Sequence, residues 1–148
     1  TGDVFEKRDP RAFRELSKLF HNTHFILKQL LIKEENVSET KCWPHHFDIA
    51  TTVTLLDTGD PETSRSISLG MSPGDKYYNE PYFYVSPWPY PMKELVDLQK
   101  VRGHWHKEDW VGAILPYTKL SGFSLIQDQR KAVVDFYNQS FQYLKTIL

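Results

Sequence analysis

Trp43-Pro44-His45-His46-Phe47-Asp48-Ile49-Ala50-Thr51-Thr52-Val53-Thr54 is the stretch whose reading decides the fold. In an extended strand successive side chains point to opposite faces. One face then carries His45, Phe47, Ile49, Thr51, Val53 and Leu55, which are mostly apolar. The other carries His46, Asp48, Ala50, Thr52 and Thr54, which are small or polar. The stretch therefore reads as one strand with His45 directed into a core and His46 and Asp48 on a polar face.

Downstream, Asp57-Thr58-Gly59-Asp60-Pro61 is a strong turn signal. Ser64 to Leu69 alternates again, Arg65, Ile67 and Leu69 against Ser64, Ser66 and Ser68. The two strands thus make an antiparallel hairpin with one apolar and one hydroxyl-rich face. A third strand, Tyr82 to Ser86, follows the Ser72-Pro73-Gly74-Asp75 turn and runs into Pro87-Trp88-Pro89-Tyr90-Pro91. Alternate prolines remove ladder donors, so that segment belongs at an edge or outside the sheet. Met92 to Lys100 reads as one helical turn or a mobile loop, and Trp110 to Leu115 as a fourth strand stopped by Pro116.

Helices flank this region. Asp9-Pro10 is a cap followed by proline at the first helical position, where a missing N–H costs nothing. Phe13, Leu16, Phe20, Thr23, Leu27 and Leu30 then recur at spacings of three and four, which predicts a helix to about Lys33. Glu34 to Lys41 reads as a connecting loop; it holds a glycosylation sequon, Asn36-Val37-Ser38, which means little without a sign of secretion. From about Leu125, Arg130, Val133, Tyr137, Phe141, Leu144 and Leu148 line a second helix. Helix, four strands, helix with hairpin connections predicts an α+β fold: one domain over residues 1–148, a mainly antiparallel sheet of about four strands, and both helices on its apolar face.

Composition bounds the function. The 148 residues suffice for one domain with a real core, and 40% hydrophobic with 25% charged content is that of a globular chain. A net charge of -1 with scattered Lys and Arg leaves no basic stripe for phosphates, which argues against nucleic acid. No apolar run approaches the roughly 18 residues of a membrane span. The single cysteine, Cys42, allows no internal disulfide and suggests a reducing, cytoplasmic setting. Opening at Thr1 and closing on Ile147-Leu148 within a helical pattern, the chain reads as a piece of something longer.

Two chemistries are suggested. If the strands are adjacent, His46, Asp48, His104 and His106 converge as nitrogen and oxygen ligands for zinc or another divalent metal, giving a metal-dependent, hydrolase-like enzyme. The alternative for these residues is structural, with His46 hydrogen-bonded to Asp48. Acid–base pairs His46–Asp48 or His104–Glu108 have serines at 66, 68, 72 and 86, or Cys42, as nucleophiles to activate, but no nucleophile-elbow motif is present. Gly70-Met71-Ser72-Pro73-Gly74 is not a phosphate loop. Tyr77 to Pro91, with Glu80 within it, reads either as a stacking platform for a sugar or peptide or as packing over a sheet edge. The leading expectation is a binding module for a small molecule or a protein partner. Its polar, aromatic-rimmed cleft would be lined by His46, Asp48, Ser66, Ser68, Tyr82, Tyr84 and Trp88.

Phe47-Asp48-Ile49-Ala50, Pro81 to Pro89 and Ile114-Leu115-Pro116-Tyr117 occur in an order that resembles the C-terminal half of the DUF5996-type family of uncharacterised bacterial proteins, over roughly residues 10–148. The resemblance implies a longer protein with a further N-terminal half. It also implies small residues in distant relatives where His45 and His46 stand, which would confine a metal site to a subgroup. It brings no established activity.

Overall fold

Asp9 caps the first helix as expected, accepting the backbone N–H of Arg11 at 2.9 Å, with Pro10 in the first turn. The computed structural model describes residues 9–148. In order, its elements are α1 (Pro10–Leu30), β1 (Lys41–Trp43), β2 (Asp48–Leu56), β3 (Arg65–Ser72), β4 (Tyr82–Trp88), a 3-10 turn (Gln99–Val101), β5 (His104–His106), β6 (Gly112–Pro116), a second 3-10 turn (Tyr117–Leu120) and α2 (Ile126–Ile147). The strands form one antiparallel sheet in the order β1-β2-β3-β4-β6-β5.

The α+β reading holds, but the sheet has six strands rather than about four. The two additions, β1 and β5, are three residues each and lie at the sheet edges. Three residues are too few for an alternation pattern to register.

The strand read through residues 43–54 is broken. Pro44 has no N–H to give to a ladder. Residues 44–47 instead form a tight turn, closed by the Phe47 N–H on the Trp43 carbonyl at 2.8 Å, with Phe47 at φ 52°. Trp43 thus pairs with Asp48 across a hairpin. His45, expected in the core, is exposed, and His46 sits exposed in the same turn. From Asp48 onward the alternation is as read, with Val53 in the core and Ile49 and Leu55 packed against it.

The apolar side of the sheet is covered by both helices. Val53, Ile67, Leu69, Met71, Phe83, Val85 and Leu115 meet Ile26 and Leu27 of α1 and Val133, Phe136, Phe141 and Leu144 of α2. Each such side chain contributes about 1.5–3 kcal/mol on full burial. Tyr137 also reaches through this core to donate its hydroxyl to the Gly70 carbonyl at 2.7 Å. Helix α1 stops at Leu30, one turn short of the expected end. Met92 to Leu98, which leads into the first 3-10 turn, is irregular yet pinned: Trp105 donates to the Val96 carbonyl at 2.7 Å and Tyr143 to the Glu94 carbonyl at 3.2 Å. Pairing of β4 with β6 ends at Val85, so Pro87 and the prolines after it lie beyond that neighbour, where the lost donors cost least. Among the described residues no helix is long and apolar enough to cross a membrane.

One glycine positions the open side of the sheet. Gly70 on β3 faces Ala50 on one side and Tyr84 on the other. With no side chain there, the Tyr84 ring lies across β3 and donates its hydroxyl to Asp48 Oδ2 on β2. A Cβ at position 70 would stand 2.5 Å from the Ile49 carbonyl oxygen and 2.6 Å from the Tyr84 hydroxyl oxygen. Gly70→Ala is expected to lower stability by about 2–3 kcal/mol in urea titrations, because both neighbours must shift to admit one methyl group. A variant as stable as the parent would show that Tyr84 does not lie over β3.

Candidate functional site

Directly paired residues of an antiparallel sheet project on the same side. The register therefore defines the open face. Ala50, Gly70, Tyr84, Ile114 and His104 form one row across it. Thr52, Ser68 and Ser86 form the next, and Ser72 and Tyr82 pair in the row on the other side. Asp48, Ser66, Ser68, Tyr82, Tyr84 and Trp88 thus share this face. His46 does not, because the 44–47 turn carries it off the strand.

The metal-ligand set His46, Asp48, His104 and His106 does not come together. Strands β3, β4 and β6 lie between β2 and β5. At the usual strand spacing this is about 19 Å, far beyond the reach of one ion with ligands near 2 Å. Among the described residues no group of three or more metal-ligating side chains is placed to hold an ion. The expectation assumed that the His-x-His strand lies beside the His-x-Asp strand; strand order is a tertiary fact that neither motif encodes.

What His104 and His106 do meet is Tyr78. Its hydroxyl lies 3.0 Å from His104 Nε2 and 3.2 Å from His106 Nδ1. His106 Nε2 in turn lies 2.7 Å from the backbone carbonyl of Glu108. The partners fix the protons. A carbonyl only accepts, so His106 Nε2 carries hydrogen and, in the neutral ring, Nδ1 is bare. Tyr78 donates to that Nδ1, and its oxygen accepts from His104 Nε2–H. His104 Nδ1 is then left as a free acceptor on an exposed residue. The pairing read as His104–Glu108 is thereby corrected: His106 makes the contact, and with the backbone of Glu108.

Loop chemistry brings Tyr78 to this place. Asp75 Oδ1 accepts the N–H groups of Tyr77 and Tyr78 at 2.8 and 3.0 Å, a side-chain turn that curls the loop back over the sheet. Its other oxygen accepts the Tyr82 hydroxyl at 2.7 Å. The Tyr78 and Tyr82 rings lie 4.9 Å apart, and Trp110 stacks on His106 at 4.6 Å. At the loop's outer edge Asp109 accepts from Tyr77 and pairs with Lys76 at 3.1 Å.

Burial and charge tune these groups. Burial, then the hydrogen bond to Asp75, holds Tyr82 well above the ordinary tyrosine value. Burial, then the Asp48 carboxylate, does the same at Tyr84. Tyr78 is raised by burial and by Asp75 and Glu108. Burial works against ionisation of Asp75, but the Tyr82 hydroxyl and the two backbone N–H groups outweigh it and lower the carboxyl. Partial burial, then His106 and Lys119, holds His104 below 6.5. Around neutral pH these shifts leave protonated phenols, an ionised Asp75 and a neutral His104.

Several expected participants are occupied elsewhere. Ser68 shares a hydrogen bond with Thr52 at 2.9 Å, Ser86 donates to the Val111 carbonyl at 2.8 Å, and Ser72 accepts from the Gly74 N–H at 3.2 Å. Glu80 accepts the Thr118 N–H and hydroxyl at 2.7 and 3.0 Å. Trp88 donates to the Pro61 carbonyl at 2.8 Å. Cys42 is exposed on edge strand β1. Tyr78, Asp75 and Trp110 are not among the site residues expected from sequence; Tyr78 falls only within the Tyr77 to Pro91 stretch read as a stacking platform or edge packing, Asp75 within the Ser72-Pro73-Gly74-Asp75 turn, and Trp110 at the start of the fourth strand.

Asp48 stands apart in one respect. It is 8% exposed, Tyr84 occupies its Oδ2, and its buried Oδ1 has no hydrogen-bond partner among the described residues.

Compared with family models, curated proteins and solved structures, the chain matches none.

Tyr84→Phe removes the one hydrogen bond to a buried carboxylate and is expected to cost about 2 kcal/mol in denaturant unfolding. Pairing it with Asp48→Ala should restore part of that loss, since no orphaned carboxylate remains. His104 gives a pH signature. Its folded value lies below 6.5, so the unfolded chain binds more protons as pH falls through 6.5, and stability declines on acidification. Thermal melts between pH 7.5 and 5 should show this decline, and His104→Gln should flatten it.

Proposed function

We propose that this domain binds a small molecule on the open face of its sheet, with His104 as the first contact and Tyr78, Tyr82 and Trp110 as the aromatic surround. The observation that supports this reading best is the chain of contacts from the Glu108 carbonyl through His106 and Tyr78 to the exposed His104, a chain whose donors and acceptors assign His104 Nδ1 as the open acceptor. Such a nitrogen accepts a hydrogen bond from a ligand hydroxyl, amide or amine, and the chain behind it fixes the ring in the accepting tautomer. Asp75 and its tyrosines position the loop, and Asp48 and Tyr84 extend the polar surface toward β2.

Acid–base chemistry on the bound molecule is a second reading, favoured by the same chain. A proton taken up at His104 Nδ1 strengthens the donation of its Nε2–H to Tyr78, as a general base requires of its support. No activated serine or cysteine stands beside it, so this reading is limited to proton transfer. Shared use of an ion by the four metal-ligand residues is not part of either reading, given the strand order.

A ligand-observed NMR screen of small polar fragments, with imidazole signals of the protein followed in parallel, tests the proposal. Hits are expected to shift His104 and to bind about 3- to 10-fold more weakly to Tyr78→Phe, the loss of one supporting hydrogen bond. Fragments that bind while leaving the His104 and His106 signals unmoved would overturn it.

A further inference from the structure

On the opposite side of the sheet, helices α1 and α2 do not close over the core along their whole length. Between them lies a cavity of about 610 Å³. Its floor is made by the buried side chains of Ile26, Phe83, Leu120 and Val133 with Leu19 beside them, polar residues such as His21, Gln29 and Gln129 share its walls, and its volume is within the size range of small-molecule sites. Two large apolar side chains stand open at its rim, Phe25 at 49% exposure and Ile126 at 82%. Thr23 also lines it, and the buried Thr23 hydroxyl has no hydrogen-bond partner among the described residues.

Charge around the opening is uneven. Glu15 and Lys18 neutralise each other at 2.8 Å. Arg130 spends one donor on the Gln29 side-chain oxygen at 2.6 Å, a bridge from α2 to α1 across the opening. No carboxylate pairs with it among the described residues. A guanidinium has five N–H donors in a planar fork suited to a carboxylate.

We infer that the groove between α1 and α2 binds an amphiphile with an apolar tail and a carboxylate head: the tail lies over Leu19, Ile26, Phe83 and Val133, and the head takes the free donors of Arg130. The tail removes from water the apolar surface that Phe25 and Ile126 leave open, and the head supplies the missing counter-charge. The site is independent of the open-face site, since the sheet separates them.

Dodecanoate, titrated below its micelle concentration into the full chain and followed by amide NMR, is the direct probe. Saturable shifts in α1, in α2 and around Phe83 and Leu120 on the groove floor are expected, with dodecanoate bound more tightly than dodecanol or dodecyltrimethylammonium. Arg130→Gln should weaken dodecanoate about tenfold and leave dodecanol unchanged, the size of one charge-assisted hydrogen bond. Ile126→Glu adds a carboxylate at an exposed rim position and should weaken dodecanoate in the same way while the melting temperature stays that of the parent. The inference is overturned if dodecyltrimethylammonium binds as well as dodecanoate, if Arg130→Gln binds dodecanoate as the parent does, if the shifts map to the open face of the sheet, or if no saturable binding occurs.

Discussion

The lack of bulk along one side of β3 governs both faces of the molecule. Ile67, Leu69 and Met71 point into the core, while Ser66, Ser68, Gly70 and Ser72 occupy the other side. Large residues there would push neighbouring side chains upright. Small ones let Tyr84 lie down across the strand to Asp48, and the Gly70 carbonyl meanwhile serves Tyr137 from below. One residue thus ties β2, β3, β4 and α2 together.

A face built in this way carries many polar groups out of bulk water, and each needs a partner. Most have one. Tyr82 and Asp75 satisfy each other, Ser68 and Thr52 do the same, and Tyr78 completes the hydrogen bonding of two imidazoles. Three buried side-chain atoms have none among the described residues: Asp48 Oδ1 under the open face, the Thr23 hydroxyl in the groove between the helices, and the Ser140 hydroxyl on α2. A satisfied polar network is a structural device. An unsatisfied atom beside it marks where a ligand or a water molecule has a reason to sit.

Local rules explain where reading along the chain succeeded. The Asp9-Pro10 start, both amphipathic helices and the alternation of β2 and β3 depend on neighbours within a few positions, and all were legible. The break after Trp43 is carried by Pro44, which the apolar rhythm of the flanking residues masks, so alternation alone places His45 in the core where the structure has it exposed. Within the site, membership of the open face was legible from alternation for Asp48, Tyr82 and Tyr84. The role of Tyr78 was not, because a loop residue obeys no period, and its partners lie 26 and 28 positions away.

The sequence by itself determined the α+β class, the two helices and which side chains of β2, β3 and β4 face away from the core, since helical and strand periodicities act through adjacent residues. Only the tertiary structure decided which histidines have which neighbours. Inserting β3, β4 and β6 between β2 and β5 separated His-x-His from Asp48, and the Asp75 turn delivered Tyr78 between His104 and His106. The physical reason is that strand order and loop return are set by how all the strands share one core, a constraint no short motif carries.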